Sequence, residues 1–264
     1  MELPRLQLFE FNDAAWAPSA LRDLIVDTLG VALERGHLLD GLVAPFARFI
    51  EAAGTDRLLD LCAGSGAPAR VLLDALSLRG HHPQLTLTDL HPHGEEWEVL
   101  ARSRPQQIDH VATPVDATAV DPSLAEGRAR VIINALHHFP PSLVSAIFAD
   151  AVREGRGIFV AESFGRDPRG FLVFADPGLR SLYSSPLRGR RRLARAALVW
   201  ATPAALLASL WDGLVSTMRI YTEADLRALV APFGDAFEWH FGWYPVGRRS
   251  RGCWFYGVPR ARGA

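Results

Sequence analysis

Two adjacent histidines follow a short β-branched segment in the stretch VIINALHHFPP, residues 131–141. Histidine titrates near neutral pH, so His137 or His138 could remove the proton of an alcohol or phenol. Adjacent side chains on an extended segment point to opposite sides and no third ligand is evident nearby in the sequence, so we expect no metal site. Two hypotheses remain: one histidine, preferably His137, contacts the reacting group, or both shape a pocket.

A glycine-containing loop is the strongest signal for a bound ligand. In LLDLCAGSGAPARVLL, residues 58–73, an apolar segment with Asp60 precedes Gly64 and Gly66, and a helix is predicted from about Pro68. Glycine occurs where the chain turns sharply or a ligand comes close, and a helix N-terminus offers free N–H groups to an anion. The spacing Gly64-x-Gly66-x-x-Ala69 also matches the dinucleotide-binding pattern, which is a weak signal by itself.

Two acidic residues further along the chain narrow the choice of ligand. Asp89 lies a little over 20 residues beyond the loop, where a carboxylate can accept hydrogen bonds from both hydroxyls of a ribose. Asp116 could accept a hydrogen bond from the amino group of an adenine. Either residue alone would more often be a helix cap or a turn residue, but their order after the loop favours a nucleoside-containing ligand.

These residues must be positioned by an alternating α/β segment. Short apolar segments alternate with amphipathic helical segments, which predicts a parallel sheet with helices on both faces. The predicted strands are RLLDLC (57–62), QLTLTDL (84–90), HVATPVDA (110–117), RVIINAL (130–136) and GIFVAES (157–163). Ligands of such sheets bind beyond the carboxyl ends of the strands, where the loop, the acidic residues and the histidines all fall.

The ends of the chain differ from this alternation. Two helices are predicted at 18–36 and 37–54, with Gly36 and Gly54 as their stops. Aromatic segments at 236–246 and 253–259 predict an antiparallel hairpin. Between the fifth strand and a helix capped by Thr222 lies an insertion, residues 163–221, long enough to suggest a function of its own.

The ordered motifs resemble those of the class I S-adenosylmethionine-dependent methyltransferases. DLCAGSG matches their first motif, with Cys62 where many members have a glycine, and Asp89, Asp116 and NALHHFP match the second, third and fourth. The resemblance implies an α/β, Rossmann-like fold: a seven-stranded, mostly parallel sheet with an antiparallel C-terminal hairpin, an N-terminal helical segment and a helical insertion after strand five. It divides the chain into a cap (1–54), a catalytic domain (55–162 and 222–264) and an insertion or lid (163–221).

The resemblance implies S-adenosyl-L-methionine as cofactor and methyl transfer to a small organic acceptor, without a metal and on oxygen slightly in preference to nitrogen. The cofactor-binding residues that it implies are Asp60, Cys62, Ala63, Gly64, Gly66, Asp89, Leu90, Asp116, Ala117 and Asn134. A nicotinamide-dependent oxidoreductase and a non-catalytic cofactor-binding partner protein are the alternatives. Asn134 is not followed by Pro-Pro-aromatic, which disfavours methylation of nucleic acid bases.

The insertion and the N-terminal segment are expected to meet the acceptor. Polar and aromatic side chains there could orient a small molecule or form a cover over it: Asn12, Trp16, Trp211, Asp212 and Arg219. Structural ion pairs are the alternative for Asp212 and Arg219. Arginines between Arg188 and Arg195 precede an apolar stretch, which favours a lid or a homodimer contact through 163–221 over a peripheral membrane contact.

Composition limits the remaining function classes. All 28 basic residues are arginine, so mechanisms that require a lysine are excluded. A net charge of −1 provides no overall attraction for nucleic acid, so a polyanion would need a local patch. The two cysteines have no metal-ligand spacing, and no signal peptide is visible, so we expect a cytoplasmic protein.

Overall fold

A computed structural model of the chain describes residues 4–168, 178–184, 186–187, 191–247 and 250–260. The chain forms two compact units. Unit 1 consists of residues 1–38, 164–220 and 245–251, and unit 2 of residues 39–163, 221–244 and 252–264. Residues 39–54 thus group with the sheet-containing unit.

The sheet of unit 2 has seven strands in the order β3-β2-β1-β4-β5-β7-β6. The first five strands pair in parallel, whereas β7 runs antiparallel to β5. Their bounds are β1 Arg57–Leu61, β2 Gln84–Thr88, β3 Ile108–His110, β4 Ala129–Ile133, β5 Ile158–Glu162, β6 Phe237–Val246 and β7 Ser250–Pro259. The predicted mostly parallel sheet with an antiparallel C-terminal element is confirmed.

Helices precede, connect and follow the parallel strands. They are α2 Val43–Ala53, α3 Ala67–Ser77, α4 Gly94–Ser103, α5 Pro122–Ala125, α6 Pro141–Glu154 and, after the insertion, α9 Glu223–Val230. Thr222 and Asp225 cap α9 reciprocally, as the predicted N-cap requires. Helix α2 begins at Val43 after a 3₁₀ turn, so the predicted start at residue 37 is too early by six residues.

The third strand is shorter and earlier than predicted. It covers Ile108–His110, whereas the segment from Val111 to Ala117 is a loop. Pro114 has no N–H group for a strand ladder, and the N–H of Val115 donates to the carbonyl of Asp89 at 2.9 Å. Because of this bond, the loop that carries Asp116 lies beside the end of β2.

The core of unit 2 lies on the faces of the central strands. Strands β4 and β5 are buried along their whole length, as expected for parallel strands covered on both sides. Phe148 of α6 packs edge-on against Trp239 and Phe255 of the C-terminal strands. This packing holds α6 against the C-terminal strands of the sheet.

Unit 1 is helical. It contains α1 Ser19–Arg35, a helical segment at 178–184, α7 Arg192–Ala196 continued by a π-helical turn Ala197–Ala201, and α8 Ala204–Arg219. Leu21 and Leu24 of α1 pack with Val199, Ala205 and Ala208 in one apolar cluster. The predicted N-terminal helix and helical insertion are confirmed.

The arginine cluster falls partly outside the described residues. Arg188 and Arg190 lie outside them, while Arg191 pairs with Asp23 and the buried Arg195 pairs with Asp27. Among the helices that the structure describes, none alone has the length and apolar composition to cross a membrane. The segments Arg192–Ala201 and Ala204–Arg219 reach that composition only in combination, across a bend of 86°.

Candidate functional site

The predicted ligand loop lies at the carboxyl end of β1, next to the point where the strand order reverses. β1 is flanked by β2 on one side and β4 on the other. The chain continues from β1 to β2 towards one edge of the sheet, and from β4 to β5 towards the other edge. Open α/β sheets bind their ligands at such a point. The ends of β1, β2, β4 and β5 define the candidate active site in unit 2.

The loop between β1 and α3 has three residues in the left-handed backbone region. Cys62 has φ 63°, Gly64 φ 53° and Gly66 φ 77°. The value at Cys62 explains why a glycine suits this position in the motif. A Cβ atom on Gly66 would lie 2.6 Å from Cδ1 of Leu100, whereas one on Gly64 would meet nothing within 4 Å.

Hydrogen bonds hold this loop in place. The N–H of Ala63 donates to the carbonyl of Thr88 at 3.0 Å, and the N–H of Gly64 donates to Oδ2 of Asp89 at 3.0 Å. The indole N–H of the fully buried Trp97 donates to the carbonyl of Gly64 at 2.9 Å. The predicted loop residues and Asp89 are therefore brought together by direct contacts.

Asp60 carries the least satisfied carboxyl of this region. Its side chain is buried, and no group of the described residues donates a hydrogen bond to its carboxyl. Burial, together with the nearby charge of Asp89, raises the pKa of Asp60 to about 8. Burial and the carboxylates of Asp89 and Asp60 also raise the pKa of the Cys62 thiol. Asp60 is therefore mainly protonated at pH 7 when nothing lies beside it, and a cationic ligand group at this position would favour its ionised form.

The other predicted nucleoside contacts surround this loop. Asp116 is exposed, and its Oδ1 accepts hydrogen bonds from the N–H and hydroxyl of Thr118, which lower its pKa. Ala117 is buried, whereas Leu90 beside Asp89 is 54% exposed. Asp116 is therefore an anion in a fixed turn, and Leu90 offers an uncovered apolar surface.

Asn134 joins the ends of β4 and β5. It has φ 56°, and its Oδ1 accepts a hydrogen bond from the N–H of Ser163 at 2.7 Å. Its Nδ2 is buried and has no hydrogen-bond partner among the described residues. A buried amide donor without a partner is costly, so this atom fits a site that a ligand completes.

His137 is held by a carboxylate that the sequence analysis missed. Glu162, the last residue of β5, accepts a hydrogen bond from the His137 N–H at 3.1 Å, and its other oxygen lies 2.9 Å from Nδ1. Both side chains are buried. The ring of His138 lies against that of His137, with centroids 4.2 Å apart. The pair therefore consists of one histidine fixed by a carboxylate and a second that flanks it.

The surroundings of Glu162 are also well defined. Glu162 pairs in register with Cys253 of β7, and the buried Tyr244 hydroxyl donates a hydrogen bond to Oγ of the next residue, Ser163, at 3.4 Å. A Cβ atom on Gly252 would lie 2.4 Å from the carbonyl oxygen of Glu162 and 2.5 Å from the Tyr244 ring. An acidic residue at the carboxyl end of a buried strand, as at Asp60 and Asp89, was the signal that could have identified Glu162.

The predicted acceptor residues lie in unit 1. Both carboxylate oxygens of Asp212 accept hydrogen bonds from backbone N–H groups, those of Phe11 and Asn12, at 2.7 and 2.9 Å. Arg219 forms ion pairs with Glu10 and Asp13 at 3.1 and 3.0 Å. These contacts connect the N-terminal segment to α8. They agree with the alternative prediction that Asp212 and Arg219 have a structural role.

The aromatic members of the predicted acceptor set cluster together. Trp211 donates its indole N–H to the carbonyl of Phe9, and the rings of Phe9, Phe11 and Trp16 are mutually within 5.3–5.8 Å of one another. Trp16 is 69% exposed. A role in acceptor binding for Trp16, Trp211 and Asn12 stays a prediction.

Comparison with known proteins places this geometry in a structural class. No protein-family model and no curated protein matches the chain. Among solved structures, it is similar to magnesium protoporphyrin IX methyltransferase (ChlM) from Synechocystis PCC 6803 with bound SAM, with 12% identity, 93% of this chain and 100% of that chain covered, and a TM-score of 0.50.

Two further similar structures are those of O-methyltransferases. Mitomycin 7-O-methyltransferase MmcR has 15% identity, with 95% of this chain and 70% of that chain covered and a TM-score of 0.50. NcsB1, an O-methyltransferase from neocarzinostatin biosynthesis, has 16% identity, with 91% and 58% covered and a TM-score of 0.50. The chain therefore has the Rossmann-like fold of the class I S-adenosylmethionine-dependent methyltransferases, as its motifs predict.

Proposed function

We propose that this protein is an S-adenosylmethionine-dependent methyltransferase that acts on a small organic acceptor, with oxygen favoured over nitrogen. The observation that carries the proposal is the buried Asp60 carboxyl, which has no hydrogen-bond donor among the described residues and adjoins Asp89 at the glycine loop. S-adenosylmethionine carries an ammonium and a sulfonium group, which would stabilise the ionised carboxylates of Asp60 and Asp89. The pyrophosphate of a nicotinamide dinucleotide would instead be repelled by them.

The residues present fit this cofactor. The loop with Gly64 and Gly66 and the N-terminus of α3 would receive its amino acid part, Asp89 the ribose hydroxyls, and Asp116 the adenine amino group. Leu90 offers an uncovered apolar surface for the adenine ring. The bound cofactor supplies an electrophilic methyl group, so the protein's task is to align the acceptor and to remove its proton.

The His137–Glu162 pair supports an acceptor that loses a proton. With Nδ1–H donating to the Glu162 carboxylate, the neutral ring carries its lone pair on Nε2. A carboxylate at Nδ1 also stabilises the charged ring that forms when Nε2 takes a proton. Because a hydroxyl must be deprotonated on methylation, this arrangement favours an alcohol or phenol, with Glu162 as a positioning residue.

Cofactor binding tests the first part of the proposal. Isothermal titration of the whole chain with S-adenosylhomocysteine should give saturable binding, which Asp89→Asn should weaken at least tenfold. Asp235→Asn is the control, since Asp235 is an exposed carboxylate paired only with Arg260 among the described residues. Binding of NADH, or equal S-adenosylhomocysteine affinity in both variants, would contradict the proposal.

Methyl transfer tests the second part. A panel of phenols, alcohols and amines is incubated with S-adenosylmethionine carrying a labelled methyl group, with and without EDTA. We expect transfer to at least one hydroxyl compound at a rate that EDTA leaves unchanged. Cofactor binding without transfer to any member of a broad metabolite panel would instead indicate a non-catalytic cofactor-binding protein.

A further inference from the structure

A second polar groove lies at the opposite edge of the sheet from the candidate active site. It has a volume of about 1230 Å³ and is lined by residues at the amino ends of β1, β2 and β3, by α3, by the end of α4 with the segment after it, and by the segment before β4. β1 is five residues long, so its two ends, one at the groove and one at the cofactor loop, are about 13 Å apart. Neither the motifs nor the proposed methyl transfer uses this edge.

The groove carries an excess of positive charge. Four arginines line it, Arg57, Arg70, Arg104 and Arg128, against two aspartates, Asp74 and Asp109. Asp74 pairs with both Arg70, at 3.5 Å, and Arg104. Arg57 and Arg128 are the lining arginines that form no ion pair with a carboxylate of the described residues.

Strand register places Arg57 and Arg128 side by side. Leu58 of β1 pairs with Ala129 of β4 in the parallel ladder, so the residues just before them are neighbours. Among the described residues, the Arg57 guanidinium donates to no group, and the Arg128 guanidinium donates only through Nη1, to the Leu124 carbonyl at 2.8 Å. Burial and the cation of Arg57 lower the pKa of Arg128, and the charge of Asp109 only partly opposes this.

Two adjacent guanidinium groups with unused donors form a favourable site for an anion. Guanidinium groups bind phosphate oxygens through paired N–H donors, and one phosphate group can bridge two of them. Gln84, Gln106 and His82 add further polar groups around the pair. The wall is therefore suited to a polar organic ligand rather than to an apolar one.

We propose that this groove binds a small phosphorylated molecule, with its phosphate held between Arg57 and Arg128. The charge is confined to one groove on a chain with a net charge of −1, whereas a nucleic acid backbone requires a basic stripe along the surface. A small ligand fits this distribution better. Since the groove is separate from the cofactor loop, both sites can be filled at once.

Titration with sodium pyrophosphate tests the site on the whole chain at low ionic strength. We expect saturable binding that Arg57→Gln and Arg128→Gln each weaken and that the double variant weakens at least tenfold. Arg102→Gln is the matched control, because Arg102 is an exposed arginine of α4 paired with Glu98 outside the groove. Arg57→Lys/Arg128→Lys keeps the charge and shows whether the paired donors are required.

Two further measurements separate this site from others. S-adenosylhomocysteine should bind with equal affinity to the double glutamine variant and to the unchanged chain, and saturating S-adenosylhomocysteine should leave pyrophosphate affinity unchanged. Absent or arginine-independent pyrophosphate binding would overturn the proposal, as would competition between the two ligands. Tighter, arginine-dependent binding of a single-stranded oligonucleotide than of pyrophosphate would identify a nucleic acid surface instead.

Discussion

The two glycines of the cofactor loop differ in what surrounds them, and alanine substitution should reveal the difference. Both have positive φ, 53° at Gly64 and 77° at Gly66, so alanine at either position costs about 1–2 kcal/mol in the left-handed region. At Gly64 a methyl group meets nothing within 4 Å. Gly64→Ala should therefore lower the free energy of unfolding by the backbone cost alone.

At Gly66 the added methyl group is crowded. It would lie 2.6 Å from Cδ1 of Leu100, which is the end of a partly buried side chain that can rotate, and 3.3 and 3.4 Å from Leu87 and Trp97, which are fully buried. Overpacking costs typically about 1–3 kcal/mol, and the mobile Leu100 places this site near the lower limit. Gly66→Ala should therefore be about 1 kcal/mol less stable than Gly64→Ala.

Urea unfolding followed by far-UV circular dichroism measures this difference, and S-adenosylhomocysteine titration provides a second measurement. The open side of Gly64 is where the proposed cofactor would lie, so Gly64→Ala should weaken binding at least tenfold despite its smaller effect on stability. Equal stability of the two variants, or a weaker effect of Gly64→Ala on affinity, would refute this account of the loop.

Three other predictions concern buried charge. With its pKa raised to about 8, Asp60 is largely protonated in the folded chain at pH 7, so stability should fall as pH rises from about 4 to 8; Asp60→Asn should flatten that part of the profile in thermal unfolding. His137→Ala should lower kcat on the order of a hundredfold, and Glu162→Gln should lower it about tenfold. Both variants should also change the pH–rate profile. Unchanged profiles would show that the pair is purely structural. Asp150→Ala leaves the cation of the fully buried Arg130 without this partner and should lower the free energy of unfolding by about 3–5 kcal/mol. In urea unfolding, the double variant Arg130→Met/Asp150→Leu should be much closer in stability to the unchanged chain. Equal losses of stability in the two variants would contradict this.

Much of the sheet could be predicted because its strands are short apolar runs between glycines and helical segments. β4 and β5 are buried on both faces, and their residues are apolar except for Arg130 and Glu162. The third strand was misplaced because the β-branched segment around Val111 and Val115 resembles a strand, although Pro114 prevents the ladder. Local composition predicts the burial of a segment better than it predicts its hydrogen bonds.

The sequence predicts the part of the candidate site in which a motif fixes the backbone geometry. It does not predict the residues whose role depends on a contact with a distant part of the chain. The positive φ values of the loop follow from its glycines, so the region around Gly64 and Gly66 could be found from the sequence. The role of Glu162 depends on contacts with His137, which is 25 residues away. Asp212 likewise has backbone partners about 200 residues distant, which no sequence spacing reveals.

The two cysteines give the protein built-in reporters of local opening. Cys62 lies in the ligand loop and Cys253 in the strand beside Glu162, and burial raises the pKa of both thiols. Cys253 is buried and Cys62 partly buried, and a protonated thiol with restricted access reacts slowly with alkylating reagents until its surroundings open. The two labelling rates therefore measure how often the loop and the strand open, and whether they open together, without any engineered label. A ligand that closes the loop should slow modification of Cys62 while leaving Cys253 governed by the opening of the sheet.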